Sequence, residues 1–282
     1  MEACNNLLKC LKGIVVVLII ILLVVLVVGF KILSNSFKKD IYKVDSRITD
    51  INKEQKKDNY KYYRTIGWLK VQGTNIDAPI INFYGDISEE ELEKNHNDDY
   101  YIDKENYLWN DNGEEKLYNK VNIMGHNILN LSSRPDVGLE YFSRFDDLMS
   151  FVYYDFVKDN KYIEYTIDGK DYVYKIYSVE FIDVDKLDIY SNGNYSKNEL
   201  TRFINKSRKN SIYDFDTDVN NSDKLISLVT CTRFFGDDGS TDFRVNARMV
   251  RKNEKYKNYN VRRNRNYKKI EKVLKGEKDE EV

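Results

Sequence analysis

The hydrophobic positions of the chain are unevenly distributed, and one continuous apolar run lies near the N-terminus. From Gly13 to Phe30 each of the 18 residues is apolar or glycine. At 1.5 Å per residue a helix over this run is roughly 27 Å long, close to the ~30 Å hydrocarbon core of a bilayer. We therefore predict a transmembrane anchor over residues 13–33, after a short N-terminal segment over residues 1–12.

A cleaved signal peptide is the alternative to an anchor at this position. Signal peptides usually have a shorter apolar region, of about 7 to 15 residues, followed by a small-residue cleavage site. Here the run is longer and continues into FKILSNSFKKD, so an uncleaved anchor is favoured. The lysines do not orient the anchor by themselves, because more of them follow the run than precede it.

A second periodicity follows the anchor. Apolar residues lie at intervals of four and three residues from Phe37 to Ile51, which places them on one helical stripe. Residues 34–60 are therefore predicted to form an amphipathic helix and a polar linker.

Between residues 61 and 250, short apolar runs alternate with turn signals. IGWLKVQGTNIDAPII is typical of two strands joined by a turn, and Asp168-Gly169 between two alternating runs predicts a β-hairpin. Ser196 and Glu199 form a capping-box pattern at the start of a helix. Five apolar residues recur at helical spacing and are predicted to belong to the core: Phe142, Phe145, Met149, Val152 and Phe156. We expect a mostly β domain with helical insertions.

The C-terminal segment differs from the rest of the chain in its excess of basic residues. The chain of 282 residues has a net charge of −1, whereas residues 251–282 carry 12 Lys and Arg against 6 Asp and Glu. Such a charged segment is predicted to be a disordered tail. No nucleic-acid partner is expected, because the basic residues belong to no recognised nucleic-acid-binding module and the chain has a membrane anchor. Anionic lipid or wall polymer fits better, and a tail without a partner is the simplest interpretation.

The distribution of the cysteines makes one of them a candidate nucleophile. Of the three cysteines, Cys4 and Cys10 precede the anchor, so Cys231 is alone in the rest of the chain and has no internal disulfide partner there. A lone cysteine is a pairing site between chains, a reactive group or a small buried hydrophobe. Cys231 ends the strand-like run KLISLVTC, directly before a Gly-containing loop. A cysteine nucleophile needs a partner that handles its proton and a donor that holds the oxyanion.

Few residues can fill those two roles. His126 follows Gly125 at the end of an apolar run, where a side chain is presented at the rim of a sheet, whereas His96 lies in a polar segment and is interpreted as a surface residue.

The strand DFRVNARMV has its arginines on the face opposite its apolar set. If this strand returns beside the cysteine strand, Arg244 fits better than Arg248, which lies about 13 Å further along. Arg233, two residues beyond Cys231, is a rival by proximity. One cysteine and two histidines make a poor zinc set, so neither a metal nor another cofactor is predicted.

These segments resemble a known family. SLVTC followed by a loop and RVNAR is similar to the sortase signature, written Thr-Leu-x-Thr-Cys with an arginine on the next strand. GWLKVQGTNIDAPII, DDYYID, NIMGHN, YKIYSVEFI and NELTRFINKSRKNSIYDFDTDV follow the order and spacing of class B sortases, so the resemblance covers about residues 60 to 250. Two features depart from the pattern. Ser227 stands where the family has Thr, and the segment before His126 lacks the family's usual Gly-Ser/Ala-Ile-Phe strand.

The resemblance implies a fold and a set of roles. The implied fold is a mostly β, sortase-type closed β-barrel with helical insertions, placed after an N-terminal transmembrane helix, and the helix between Ser196 and Asn210 resembles the extra helix of class B. By the same resemblance Cys231 is the nucleophile, His126 handles protons and Arg244 stabilises the oxyanion.

The resemblance also implies an activity and partners. The activity is that of a cysteine transpeptidase, which cleaves a C-terminal sorting signal after Thr and joins the acyl group to an amine of the cell wall precursor. The implied partners are surface proteins that bear sorting signals and a peptidoglycan precursor or, in pilus-building relatives, a pilin lysine. The implied location is the membrane of a Gram-positive cell, single-pass, with the N-terminus cytoplasmic and the catalytic domain on the extracellular wall side. A hydrolytic cysteine peptidase and a membrane-tethered binding module with a degenerate site are the alternatives.

Overall fold

The computed structural model describes residues 63–83, 108–110, 117–125, 127, 145–183, 193–236, 241–254 and 259–276. The predicted anchor, the linker over 34–60 and both histidines, His96 and His126, lie outside these ranges. In the part of the chain that is described, no helix is long and apolar enough to cross a membrane.

The described residues form ten strands and four short helical segments. The strands are β1 (Tyr63–Val71), β2 (Asp77–Phe83), β3 (Leu108–Asn110), β4 (Lys120–Met124), β5 (Tyr162–Ile167), β6 (Lys170–Asp183), β7 (Tyr213–Phe215), β8 (Leu225–Cys231), β9 (Thr241–Met249) and β10 (Val261–Arg263). The helical segments are a 3₁₀ helix (Asp146–Val152), α1 (Tyr154–Asp159), α2 (Lys197–Asn210) and α3 (Tyr267–Leu274).

Eight of these strands close into a barrel, which confirms the predicted mostly β domain. Each strand is hydrogen-bonded to the next in the order β1-β2-β3-β4-β8-β9-β6-β5, and β5 pairs with β1 to complete the ring. Alternate side chains fill the interior, and Leu69, Ile123, Leu228 and Val245 have no exposed surface. β8 lies between β4, to which it is parallel, and β9, to which it is antiparallel.

Two predicted hairpins are confirmed, and the backbone conformation of each turn explains why glycine occurs in it. Gly73 has φ of 75° in the turn between β1 and β2, and a Cβ at this position would lie 2.2 Å from the side chain of Asn160. Asp168 and Gly169, between β5 and β6, have φ of 52° and 62°. Positive φ at both central residues is the requirement of the type I′ turn, whose twist matches that of the strands it joins.

The capping box at the start of α2 is also confirmed. The Ser196 hydroxyl accepts from the backbone N–H of Glu199, and the Glu199 carboxylate accepts from the backbone N–H of Ser196 at 2.8 Å. The apolar side of α2 then packs on the outer face of the barrel through Leu200, Phe203 and Ile204. The helix therefore covers a sheet face that would otherwise be open to solvent.

The apolar residues with helical spacing are core residues, as predicted, except that Phe142 lies outside the described ranges. Phe145, Met149, Val152 and Phe156 are buried. The backbone differs from a single α-helix, because residues 146–152 form a 3₁₀ helix that ends before α1.

The prediction of a disordered tail from residue 251 is wrong for residues 259–276. β10 pairs with β7, α3 follows, and Tyr259, Val261, Tyr267 and Ile270 are each at most 8% exposed. Most residues of this segment are charged or polar, so its composition does not reveal the few apolar side chains that pack against the core. The lysines and arginines between these apolar residues remain at the surface. The β domain therefore continues past the predicted boundary at residue 250.

Candidate active site

Cys231 is the last residue of β8, and it is the exposed end of a buried strand. The six residues before it are all buried, whereas Cys231 itself is exposed with a free thiol. Because β8 is hydrogen-bonded on both sides, its backbone is held rigidly up to the cysteine. This position suits a nucleophile, which has to be both fixed and accessible.

The chain on either side of His126 is bonded to the end of β8. The Thr230 hydroxyl donates to the carbonyl oxygen of Gly125 at 2.7 Å, and the Asn127 side-chain amide donates to the carbonyl oxygen of Cys231 at 3.1 Å. His126 itself lies outside the described residues. Its two sequence neighbours thus contact the last two residues of the cysteine strand, and its assigned role stays a prediction.

The register between β8 and β9 decides which residues lie beside the cysteine. Cys231 is paired with Asp242, Val229 with Arg244, and Leu225 with Arg248. Paired residues point to the same face of a sheet, so Arg244 shares the face of Cys231 but lies two residue pairs further from the strand end. The residue directly opposite Cys231 is Asp242, which is 8% exposed.

The guanidinium of Arg244 is bound to a neighbour beneath α2. Its Nε and Nη2 both lie 3.0 Å from Oε1 of Glu180, the residue directly across on β6. Its Cζ lies 4.9 Å from the centre of the Phe203 ring. Arg244 and Glu180 are 1% and 0% exposed. Within the described residues only Nη1 of Arg244 and Oε2 of Glu180 lack a hydrogen-bond partner in this pair.

Glu180 belongs to a longer buried polar network, which sequence reasoning missed. Its Oε1 also accepts from Nδ2 of Asn246 at 2.7 Å, and the same amide nitrogen donates to Ser178 at 3.1 Å. Asn246 accepts in turn from Ser227, whose hydroxyl accepts from Nζ of Lys120 at 2.8 Å. One sequence feature could have indicated this network, which is the single carboxylate of Glu180 among the apolar residues at the end of YSVEFI. Ser227, the departure from the family's Thr, is a member of this network.

Arg248 is likewise held in a network of its own. It is buried and paired with Asp218 at 3.1 Å and with Glu254. The hydrogen bond from Arg248 lowers the pKa of the Glu254 carboxyl to about 2. Arg251 adds bonds to Asp218 and to Asp223, the latter at 2.7 Å. Arg248 therefore has a structural role at the end of the domain distant from Cys231.

Arg233 is placed differently from the other two candidate arginines. It follows Cys231 by two residues, beyond the buried Thr232, and it is exposed. The exposure of residues 231 and 233 with a buried residue between them is the alternation of an extended strand.

Comparisons with known proteins agree with the fold. The sortase domain family matches residues 69–250. The chain is similar to the X-ray structure of Clostridium perfringens sortase B, with a TM-score of 0.52 and 23% identity over 71% of this chain and 99% of that one. It is also similar to a Staphylococcus aureus sortase B–substrate complex, with a TM-score of 0.53 and 17% identity over 77% and 94% of the two chains. A sortase B complexed with triglycine gives a TM-score of 0.52 and 17% identity over 78% and 98%. No curated protein matches the chain.

Proposed function

Since the chain belongs to the sortase family, and is therefore an enzyme of the sortase type, we propose that it is a membrane-anchored transpeptidase of class B. It cleaves a sorting signal after a Thr residue and transfers the acyl group to an amine. The observation that carries this proposal is the position of Cys231, exposed at the end of a buried strand to which both neighbours of His126 are bonded.

The proposed chemistry proceeds through a thioester. The Cys231 thiolate attacks the Thr carbonyl carbon, forming a C–S bond and a tetrahedral oxyanion. As this intermediate collapses the peptide C–N bond breaks, and the leaving amine takes a proton from His126. An acceptor amine then attacks the thioester, the new C–N bond forms, the proton goes to His126, and the cysteine leaves as a thiolate. A guanidinium stabilises the oxyanion, and the family resemblance assigns this role to Arg244.

The partners follow from this chemistry. The donor is a surface protein with a C-terminal sorting signal, and the acceptor is an amine of a peptidoglycan precursor. The similar structures include a complex with substrate and one with triglycine, and a peptide with a free amino group would serve as a simple acceptor for this chain. A pilin lysine is the alternative acceptor. The N-terminal apolar run supports a location in the membrane, and the resemblance to sortases implies a Gram-positive cell with the catalytic domain on the wall side.

One assay tests this proposal. The soluble part, residues 61–282, is incubated with a panel of sorting-signal peptides, with and without triglycine, and the products are identified by mass spectrometry. We expect an amide between the peptide's new C-terminal Thr and the acceptor. Release of free acid alone in abundant acceptor would favour a hydrolytic peptidase. A Cys231 that forms no acyl-enzyme with any peptide and ignores thiol reagents would favour the binding module.

A further inference from the structure

Two segments of the folded domain are strongly basic, although the chain as a whole is close to neutral. Residues 259–276 carry seven Lys and Arg against one Glu, and α2 carries five Lys and Arg against one Glu. Their net charges are therefore +6 and +4, whereas the whole chain carries −1. A concentration of one sign of charge attracts surfaces and ligands of the opposite sign.

The structure joins these two segments at the C-terminal end of α2. The Asn266 side chain donates to the carbonyl oxygens of Lys209 and Ser211, each at 2.9 Å, and the Asn264 side chain donates to the carbonyl oxygen of Ser211 at 2.8 Å. The end of α2 is thus bonded to the start of α3. We define the basic surface as the exposed cations on both sides of this join: Arg208, Lys209, Arg262, Arg265 and Lys268.

A cavity of about 280 Å³ lies at the same join. It is lined by Tyr177, Arg208, Tyr213, Asp214, Phe215 and Arg262. Each of the two basic segments therefore contributes one guanidinium to the lining, and three aromatic side chains complete it. Ligand pockets usually have volumes of about 300 Å³ or more, so this cavity fits a small anionic head group and not a large ligand.

The guanidinium of Arg208 is held by β7 and keeps donors for a ligand. Its Nη2 donates to the carbonyl oxygen of Thr217 at 3.1 Å and, more weakly, to that of Phe215 at 3.4 Å. Its Nε and Nη1 bond to none of the residues that the structure describes, and both nitrogens carry N–H donors. A planar guanidinium that is fixed on one side is well suited to bind phosphate through its other donors.

Arg262 is the second cation of the cavity, and the nearby carboxylates offset its charge only in part. Its Nη2 lies 3.7 Å from Oδ1 of Asp216, and the two side chains are 70% and 46% exposed. An ion pair exposed to this extent is weak, because solvent screens it. Asp214, directly across the ladder from Arg262, accepts from the Asn264 side chain at 3.1 Å. Arg262 can therefore exchange its contact with Asp216 for a phosphate at little cost.

We propose that the basic surface binds the phosphate groups of anionic membrane lipids, with one head group in the cavity between Arg208 and Arg262. The proposal goes beyond transpeptidation and rests on the membrane location proposed above. A bilayer presents many phosphates at once, so it engages the cavity and the neighbouring cations together. Each Lys or Arg that meets an anionic leaflet strengthens binding by about fivefold.

The test measures co-sedimentation of residues 61–282 with lipid vesicles. The described core residues run from Ile66 to Ile270, so this part contains the core without the predicted anchor, and its cooperative unfolding is checked first. We expect it to pellet with vesicles of equal parts phosphatidylcholine and phosphatidylglycerol but not with phosphatidylcholine alone. Salt should weaken the binding, because it screens exposed charges. Equal binding to both kinds of vesicle would overturn the proposal.

Two kinds of variant change the basic surface without touching the core. Lys209→Gln combined with Lys268→Gln removes two exposed cations and should weaken binding to the anionic vesicles by about 25-fold. Arg262→Gln should weaken it by about fivefold. Asp216→Asn should strengthen it, because this change removes the carboxylate beside Arg262. A gain of affinity is not expected from a change that only damages the fold.

A control variant with the same loss of charge separates the basic surface from net charge. Lys70→Gln combined with Lys170→Gln removes two cations from β1 and the start of β6, which belong to neither basic segment. Its affinity for the anionic vesicles should stay within about twofold of wild type. Equal losses in the two double variants would overturn the proposal, since the binding would then follow net charge alone.

Two further measurements distinguish the source of phosphate and the fate of the proposed function. Glycerol phosphate and soluble polyphosphate are added as competitors. If Lys209→Gln with Lys268→Gln weakens polyphosphate binding but not vesicle binding, the partner is a soluble polymer and the lipid proposal is wrong. Every variant should form the acyl-enzyme at the wild-type rate. An active wild type that ignores anionic vesicles contradicts only this inference, whereas a wild type that binds them but forms no acyl-enzyme contradicts only the proposed transpeptidation.

Discussion

Glu180 lies directly opposite Arg244 on the neighbouring strand and binds two of its guanidinium nitrogens through a single carboxylate oxygen, each at 3.0 Å. Both side chains are buried under α2. Buried ion pairs add little stability compared with apolar residues of the same shape, but removing one partner is costly because the other charge is left uncompensated. This relationship joins β6, β9 and α2 two residue pairs from Cys231.

The first prediction concerns this pair. Glu180→Gln should lower the free energy of unfolding by about 3 to 5 kcal/mol, because the charge of Arg244 stays buried without a counter-charge. Urea denaturation of residues 61–282 measures the change. Lys170→Gln removes a partner from the exposed pair with Asp168, at 3.7 Å, and should change the stability by less than about 1 kcal/mol. Equal effects at the two sites would contradict the burial of the Glu180–Arg244 pair.

The second prediction concerns Cys231. Cys231→Ala should abolish transpeptidation while leaving the melting temperature close to that of wild type, because an exposed side chain leaves no cavity when it is shortened. Thioester formation is followed by intact-protein mass spectrometry. Removing one positioned catalytic group usually lowers the rate by more than about tenfold. A Cys231→Ala variant that keeps about a tenth of the wild-type turnover would therefore mean that another residue is the nucleophile.

The third prediction separates the two histidines. His126→Ala should reduce the transpeptidation rate by about 10² to 10⁴, the range for a positioned acid–base group, and His96→Ala should be close to wild type. Steady-state rates measured from mildly acidic to mildly alkaline pH provide the comparison. Similar losses in both variants would remove the reason for assigning the proton transfer to His126.

The fourth prediction concerns the folded part of the C-terminal segment. Ile270 is 1% exposed in α3, so Ile270→Ala should reduce stability by about 2 to 5 kcal/mol. Deleting residues 259–282 should prevent stable folding, because it removes four buried apolar side chains, Tyr259, Val261, Tyr267 and Ile270, each worth about 1.5 to 3 kcal/mol. Deleting residues 277–282 is the matched control and should leave the melting temperature unchanged. A stable domain without residues 259–282 would mean that this segment only covers a core complete without it.

The fifth prediction is a pH dependence from Glu254. The Arg248 guanidinium lowers the pKa of this carboxyl from its ordinary 4.5 to about 2 in the folded protein. A depressed pKa in the folded state contributes stability that is fully present above the unfolded value and is lost as pH falls. The free energy of unfolding should therefore decrease between about pH 4.5 and pH 2. Glu254→Gln should flatten this part of the curve of unfolding free energy against pH, and an unchanged slope would show that other groups control it.

Several features of the fold follow from local sequence. Positive φ at Asp168 and Gly169 is set by the residues of the turn themselves, and the Ser196–Glu199 capping box needs only four consecutive residues. The position of Cys231 at the end of a strand could likewise be predicted from a single apolar run. Such features depend on interactions between near neighbours, so their patterns are visible along the chain.

Other features were decided by contacts between distant parts of the chain. The prediction for the tail was wrong because charge dominates its composition, and only the packing of residues such as Tyr267 shows that it completes the core. Strand register is a property of two strands and the loop between them, so the sequence predicted an arginine near Cys231 and did not predict that Asp242 lies opposite it. A shift of one residue along an antiparallel ladder would place a different residue opposite Cys231.

The environment of Arg244 shows most clearly which features depend on local sequence and which depend on tertiary contacts. Its alternation with Phe243 and Val245 determined that it points away from the barrel interior, because side chains of a strand alternate between faces. Whether that outer face is solvent or interior depended on α2, which comes from an earlier segment of the chain and covers the face with Phe203. Glu180, on a third strand, then binds the guanidinium. The sequence by itself determined where Cys231 and the nearby arginines stand along the strands, and tertiary packing decided which of those arginines is buried in an ion pair and which is exposed.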